Sequence, residues 1–536
     1  MFLTPNIRLI LLTSAFIIAT GNFTLIHRLT DIYPWNEKWA FVIALMGFFT
    51  FSTMLFFICF CYGKFTKWVL STFLITSALA AYYMDQFGVV IDRDMIGNIL
   101  ETNPQEFAGL VSMKLVLRLL IFGIVPAIFI FKYAPNSTSF VNGLKGRLRL
   151  SAVLIVFCIL SILPFTADFA SFVREHKITR LYSNPLGFTY SLFSYGKELL
   201  KRQPVYVVKH TAEDTKKIFH EGHKKLIILV VGETARADRF SLNGYSKETN
   251  PELKKLNVVS FKNVTSCGTA TKVSLPCMFS NLGRSDYTEN QAFQQENALD
   301  VLYEYGVQVL WRDNNSDSKG VATRIPYQNF KSPTLNPDCD TECRDIGMLS
   351  GLDQYIQARN GKDILIVLHQ MGNHGPEYYR RYPENFGRFK PMCMTGELGD
   401  CSKHEVDNAY DNAILYTDYF LANVIKFLKQ YDDKYSTAMI YVADHGESLG
   451  EHGIYLHAAP YVIAPKEQTH IPAIVWTGTY FDFQLDDMLP FQNYPLSQDD
   501  LFCTLLIAYD MYSNKTCNSK QNWLIKNKNL KFKNIE

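Results

Sequence analysis

Five long apolar runs crowd into the first third of the chain, over residues 9–26, 39–63, 68–84, 115–131 and 150–167, and none follows them. Each approaches the roughly 20 residues a helix needs to cross about 30 Å of hydrocarbon. The alternative reading of a single run of this kind is a buried core helix. Five in succession predict a membrane domain over residues 1–167, even with Arg118 interrupting the fourth. A cleaved signal peptide does not fit, because no small-residue cleavage site precedes the second run.

Loop charge sets the direction of crossing, since cytoplasmic loops collect Lys and Arg. The loop with Lys64 and Lys67 and the loop with Lys132, Lys145, Arg147 and Arg149 carry no acids, whereas residues 85–114 are mostly acidic. The basic loops therefore belong inside. Five spans then place the N-terminus in the cytoplasm and everything beyond residue 167 outside, which is the periplasm in a Gram-negative cell.

Cysteines test that topology. Of the 11, Cys59, Cys61 and Cys158 fall in apolar runs, leaving eight: Cys267, Cys277, Cys339, Cys343, Cys393, Cys401, Cys503 and Cys517. An even number in close pairs reads as disulfides in an oxidising compartment. Nearest-neighbour pairing, taken as an assumption, joins Cys267 to Cys277, Cys339 to Cys343 and Cys393 to Cys401. The pairing of Cys503 and Cys517 is left open. A zinc knuckle lacks the paired short spacings such a site uses.

Composition narrows the rest. With 536 residues, 48% of them hydrophobic, the chain is neither disordered nor collagen-like, and more than one structural unit is expected. A formal net charge of +2 offers no bulk attraction for nucleic acid.

Residues 168–223 mix aromatic and charged positions (Phe169, Phe172, Tyr182, Phe188, Tyr190, Phe193, then basic residues up to Arg202), which suits a helix on the membrane surface followed by a linker, or a packed connector. In the outer segment 94–106, Asn98, Thr102 and Glu106 are four apart and would share one helical face, either solvated or able to meet an ammonium headgroup. Pro104 leaves the last turn of that helix in question.

From residue 224 onward, strands alternate with helices, the pattern of an open α/β sheet. Such folds bind ligands beyond the carboxyl ends of their strands. Three apolar runs end abruptly in metal-ligand or acid–base residues: 226–231 before Gly232 and Glu233, 364–368 before His369 and His374, and 439–443 before Asp444 and His445. Carboxylates and imidazoles are ligands that zinc takes. Gly446 is read as a tight turn that aims the preceding pair forward. Of His452 and His457, the latter sits in apolar surroundings and is preferred. Thr269 and Thr271 precede a helix, where a bound phosphate would meet the positive end of the helix dipole. Thr271 is then either a nucleophile or a helix cap. His369 is either structural or an orienter of the site.

Four segments together carry a family resemblance: Val231 to Arg236, Ser266 to Ser280, His369 to Pro376 and Ala443 to Gly450. The chain resembles, over essentially its whole length, the membrane phosphoethanolamine transferases that modify lipid A, including the colistin-resistance enzymes. The resemblance implies a five-helix transmembrane domain over 1–167, an interfacial helix and linker over 168–223, and a disulfide-stapled periplasmic α/β domain of alkaline-phosphatase/sulfatase-like type over 224–536. It implies a zinc held by Glu233, Thr271, Asp444 and His445, with Thr271 as the nucleophile that becomes phosphorylated. It assigns His374 and His457 to substrate phosphate or to a second zinc, Lys319 to a position near the substrate, and Asn98, Thr102 and Glu106 to the headgroup.

The implied partners are a phosphatidylethanolamine donor, a lipid A acceptor and membrane lipids, with a monomer in the inner membrane and polymyxin resistance as the outcome. Two departures stand out. Ser318 and Ala322 replace a cysteine pair common in relatives, and Gln498 follows Ser497 where relatives commonly carry histidine; this late stretch is left out of the metal site. The motifs leave two alternatives open: the same donor chemistry on a periplasmic glucan or core sugar, or a membrane sensor with a structural metal.

Overall fold

The computed structural model describes residues 4–102, 104–134, 140–201, 208–218, 222–517 and 522–524, apart from the side chains of 104–106, 140–143 and 201. Arg202 and part of the connector lie outside the described residues, as does the side chain of Glu106. The chain divides between Lys201 and Arg202 into two compact units.

The first unit is helical. Among the described residues, three helices are long and apolar enough to cross a membrane, Trp35–Phe60, Met113–Tyr133 and Leu144–Glu175, and a bent pair, Pro5–Gly21 with Phe23–Ile32, would make a fourth. By length and apolar composition the described residues thus give three or four spans, short of the five expected. Helix Phe65–Phe87 has the length, with 23 residues, but Lys67, Asp85, Gln86 and several Ser, Thr and Tyr residues dilute its apolar character. The run 9–26 breaks at Asn22 with a 61° bend. Asn184 supports the break: its backbone N–H donates to Asn22 Oδ1 at 2.8 Å and its Nδ2 to Gly21 O at 3.2 Å and Ser77 O at 2.8 Å. Backbone groups freed at a kink are satisfied inside the protein, as a membrane requires.

Arg118, the charge inside the fourth run, donates to Asp85 Oδ2 at 2.6 Å and Thr20 O at 3.1 Å. An intramembrane charge is tolerated when it is paired in this way.

Two expectations for the outer segments change. The last helix does not stop at 167 but continues to Glu175, and Phe172 and Tyr182 are buried in the unit's core while Tyr190 and Phe193 on helix Leu186–Lys201 are exposed. Asn98, Thr102 and Glu106 do not share one continuous helix. Helix Arg93–Glu101 ends with Thr102 extended, and a separate helix begins at Pro104. Pro104 has no N–H to offer the carbonyl four residues back, so the first helix cannot continue through it.

The second unit is built on an eight-stranded sheet. In chain order its strands are β1 Lys225–Gly232, β2 Val259–Thr265, β3 Gln308–Asp313, β4 Tyr327–Asn329, β5 Ile364–His369, β6 Ser436–Ala443, β7 His470–Thr477 and β8 Leu496–Ser497. They lie side by side as β8-β2-β7-β6-β1-β5-β3-β4. Only β7 runs against its neighbours. Strands β1, β5 and β6 are buried at every residue, as expected of parallel strands covered on both faces.

The register aligns strand ends. Val231 pairs with His369 and Gly232 with Ala443, so Glu233, Gln370 and Asp444 leave the sheet together. Because β2, β3 and β8 run the same way, the segments after Thr265, Asp313 and Ser497 also emerge at this edge. Disulfides join Cys267–Cys277, Cys339–Cys343, Cys393–Cys401 and Cys503–Cys517. Cys59, Cys61 and Cys158 are free.

Candidate active site

Four side chains converge at that edge. Thr271 Oγ1 lies 3.2 and 3.1 Å from the two carboxylate oxygens of Glu233 and 3.3 Å from His445 Nε2. His445 Nε2 is in turn 3.4 Å from Glu233 Oε1 and 3.3 Å from Asp444 Oδ2. Thr271 is the first residue of helix Thr271–Met278, capped by Ala270 rather than by itself. Its hydroxyl therefore serves the cluster instead of closing the helix. Thr269, the other threonine before the helix, spends its hydroxyl on Ala459 O at 2.7 Å.

The donor set fits a cation. His445 Nδ1 lies 2.9 Å from Gly446 O, which holds the ring proton there and leaves the Nε2 lone pair facing two carboxylates. Asp444 Oδ1 accepts from Thr234 N at 3.1 Å and His445 N at 2.7 Å, while its buried Oδ2 accepts no hydrogen bond. Two carboxylates and an imidazole, all fully buried, with ligand atoms within 4.8 Å of one another, repel one another until a positive charge joins them. Burial also holds the His445 imidazole below its ordinary pKa, against the pull of Asp444, which keeps it neutral and able to ligate.

Backbone geometry supports the cluster. Thr234, the residue after Glu233, has φ 48°, a conformation costly for a β-branched residue and typical of functional turns. Gly372, at φ 53°, packs so close that an added Cβ would lie 2.9 Å from Glu233 O. Gly446 plays a different part from the turn expected of it. A Cβ there would sit 2.0 Å from Glu467 O, so this glycine admits a neighbouring chain.

The structure brings two further histidines near. The rings of His445 and His457 are 4.6 Å apart, and those of His457 and His374 5.4 Å. His457 Nδ1 is 2.8 Å from Glu447 Oε2, a contact that sets the orientation of its ring. His374 has its Nδ1 buried without a hydrogen bond. Burial first, then His457, Arg381 and His445, hold its pKa well below the ordinary value, so it faces the site as a neutral imidazole. His452 is exposed on the preceding turn.

Lys319 lies half-buried at φ 47° in the turn after β3, and among the described residues its side chain makes no hydrogen bond to the cluster. Asn98, Thr102 and Glu106 belong to the first unit.

Sequence reasoning missed a supporting chain behind Glu233. Asn315 Nδ2 donates to Glu233 Oε2 at 2.6 Å and Gln370 O at 2.8 Å, and lies 3.3 Å from His369 Nε2. His369 Nδ1 is 2.8 Å from Asp313 Oδ2, which also accepts from Trp311 Nε1 at 2.9 Å. His369 thus orients the site through Asn315. The signal was short: residues 309–311 are an apolar run that ends in Arg312, Asp313, Asn314 and Asn315.

The chain is similar to known proteins in both sequence and fold. Residues 49–200 match the family model described as phosphoethanolamine transferase EptA/EptB, and residues 225–511 match the sulfatase model. The chain is 41% identical over 518 residues to phosphatidylethanolamine transferase Mcr-2 of Escherichia coli, covering 94% of this chain and 95% of that protein. It is 40% identical over 444 residues to phosphoethanolamine transferase EptA of Escherichia coli K12, covering 81% of each. Among solved structures, the integral membrane lipooligosaccharide phosphoethanolamine transferase A of Neisseria meningitidis superposes with a TM-score of 0.90 at 32% identity, covering 95% of this chain and 96% of that one.

Proposed function

The chain belongs to the phosphoethanolamine transferase family, and from that premise we propose that it transfers phosphoethanolamine from phosphatidylethanolamine to a lipid A phosphate through a phosphorylated Thr271. The observation that carries this reading is the Thr271 hydroxyl, buried at the sheet edge within 3.1–3.3 Å of Glu233 and His445. A nucleophile in a ligand cluster is not what a closed structural metal site needs.

Glu233, Thr271, Asp444 and His445 would hold zinc, with His374 and His457 available to a second ion or to substrate phosphate. When bound, the ion lowers the pKa of a ligated hydroxyl and stabilises anionic oxygens. Thr271, which points its hydroxyl hydrogen at the Glu233 carboxylate, is held for attack on the donor phosphorus. The Thr271 Oγ–P bond forms as the P–O bond to diacylglycerol breaks, and diacylglycerol leaves with the proton. An oxygen of a lipid A phosphate then attacks the same phosphorus, releasing Thr271, which regains a proton. The sheet edge, the Asn315 chain and the buried setting keep these groups fixed and dry.

The protein is a multi-pass inner-membrane protein, and five spans starting from a cytoplasmic N-terminus would set the catalytic domain, residues 224–536, in the periplasm. The diacylglycerol product never needs to leave the bilayer. An added ammonium offsets lipid A charge and weakens attraction to cationic peptides such as colistin.

Mass spectrometry of lipid A from a Gram-negative host tests the reading. Cells expressing the parent chain should gain a phosphoethanolamine unit that cells expressing folded Thr271→Ala lack. Unmodified lipid A in both would overturn it.

A further inference from the structure

We infer that Gln498 is a positioning residue of the active site, a neutral clamp that fixes the nucleophile segment against the strand end carrying the ligand pair. This inference deepens the transferase reading and rests on it for its consequence for turnover, but not for the clamp itself.

Gln498 is fully buried at the corner where β8 turns into helix Leu501–Ala508. Its Oε1 accepts from Cys267 N at 2.6 Å. Its Nε2 donates to Ala443 O and Asp444 O, both at 2.7 Å. One amide thus ties together the backbone of two loops from different strands: the segment after β2 that leads to Thr271, and the end of β6 that supplies Asp444 and His445. No other side chain among the described residues bonds to the backbone of both segments.

The corner itself is held rigid. Ser497 and Asp500 form a capping box around it, and Asp499 accepts from Arg284 N at 3.0 Å, beyond the far end of the Thr271–Met278 helix. The clamp therefore has a fixed base.

Chemistry explains why an amide suits the place. The site needs one acceptor for an N–H and one donor group for two carbonyls, and a neutral carboxamide offers both at once. A carboxylate would face two carbonyl oxygens, and an apolar side chain would leave three buried backbone groups unpaired. A neutral imidazole also has one acceptor and one N–H, so it can replace part of the set.

The test uses the full-length chain in lipid nanodiscs, with Gln498→Leu and Gln498→His compared with the parent. Two readouts are taken: amide hydrogen exchange of the peptide spanning residues 266–271, and steady-state turnover of a fluorescent phosphatidylethanolamine. In Gln498→Leu, exchange in that peptide should rise by about tenfold or more while strand β1 keeps its protection. kcat should fall by about tenfold or more with KM for the lipid nearly unchanged, as expected when reacting groups are misplaced but binding is intact.

Unchanged exchange in the 266–271 peptide overturns the clamp, and loosened exchange with unchanged kcat overturns its role in positioning the active site. If Gln498→Leu does not fold, Gln498→His decides: an imidazole replaces only part of the set, so exchange in the peptide faster than the parent's supports the assignment, and parent-level protection in a folded Gln498→His overturns it. Should the parent itself transfer nothing, the transferase reading fails while the exchange data still judge the clamp.

Discussion

At the scale of single residues, the site depends on groups that never touch substrate. Asn315 helps to orient Glu233, to which its Nδ2 donates at 2.6 Å, and Asn315 is in turn set by His369 and Gln370 O. Residues that orient metal ligands typically matter by about 10–100-fold in metal affinity or activity. Asn315→Leu should accordingly weaken zinc binding by about that factor, read by competition against a chromogenic chelator, with the thermal unfolding midpoint little changed. Equal zinc affinity in parent and variant would show that Glu233 orients itself.

At the scale of elements, helix Lys403–Lys429 shows how one long element serves the whole second unit. Its start is set by a capping box between Ser402 and Glu405. Midway, the buried Asp418 accepts from Glu252 N at 2.9 Å and Leu253 N at 3.0 Å, tying the helix to the segment before β2. Burial pushes the Asp418 carboxyl up from 3.8 to about 7, partly opposed by those two hydrogen bonds.

The sign follows from linkage: a carboxyl with a raised folded pKa holds its proton more tightly when folded. Its stabilising contribution is complete below about pH 4 and is lost as pH rises through about 7. The slope within that window is about 1.4 kcal/mol per pH unit. Asp418→Asn should therefore be least destabilised, relative to the parent, at pH 8 and most destabilised at pH 4. Thermal unfolding of both proteins across that range checks it, and parallel curves would refute the shift.

At the scale of the whole molecule, covalent staples are confined to one unit. All four disulfides lie beyond residue 202, and the free cysteines lie before it. Reduction should lower the unfolding transition of the second unit and leave that of the first unchanged. The bridge with the largest loop, Cys503–Cys517 with a sequence separation of 14, should account for about 3 kcal/mol on chain-entropy grounds. Calorimetry with and without reductant, followed by Cys503→Ala/Cys517→Ala, measures both quantities. A reductant-insensitive second unit would mean that its core, and not its staples, carries its stability.

Much of this protein was determined by its sequence alone, where the signal is local. Apolar runs mark membrane helices because hydrocarbon tolerates little else. The runs 226–231, 364–368 and 439–443 mark strands because a parallel strand buried on both faces must be apolar throughout, and the polar residues that end them mark the reactive edge. What tertiary structure decided is non-local. The helix break at Asn22 depends on Asn184, 162 positions away, and the break before Pro104 outweighs the four-residue spacing of Asn98, Thr102 and Glu106. The need for glycine at 446 comes from the carbonyl of Glu467 rather than from a turn. Gln498 and Asn315 look like ordinary loop residues until the sheet order sets them beside Cys267, Asp444 and Glu233. A hydrogen bond between residues more than 50 apart leaves no periodicity in the chain, and only packing brings its partners together.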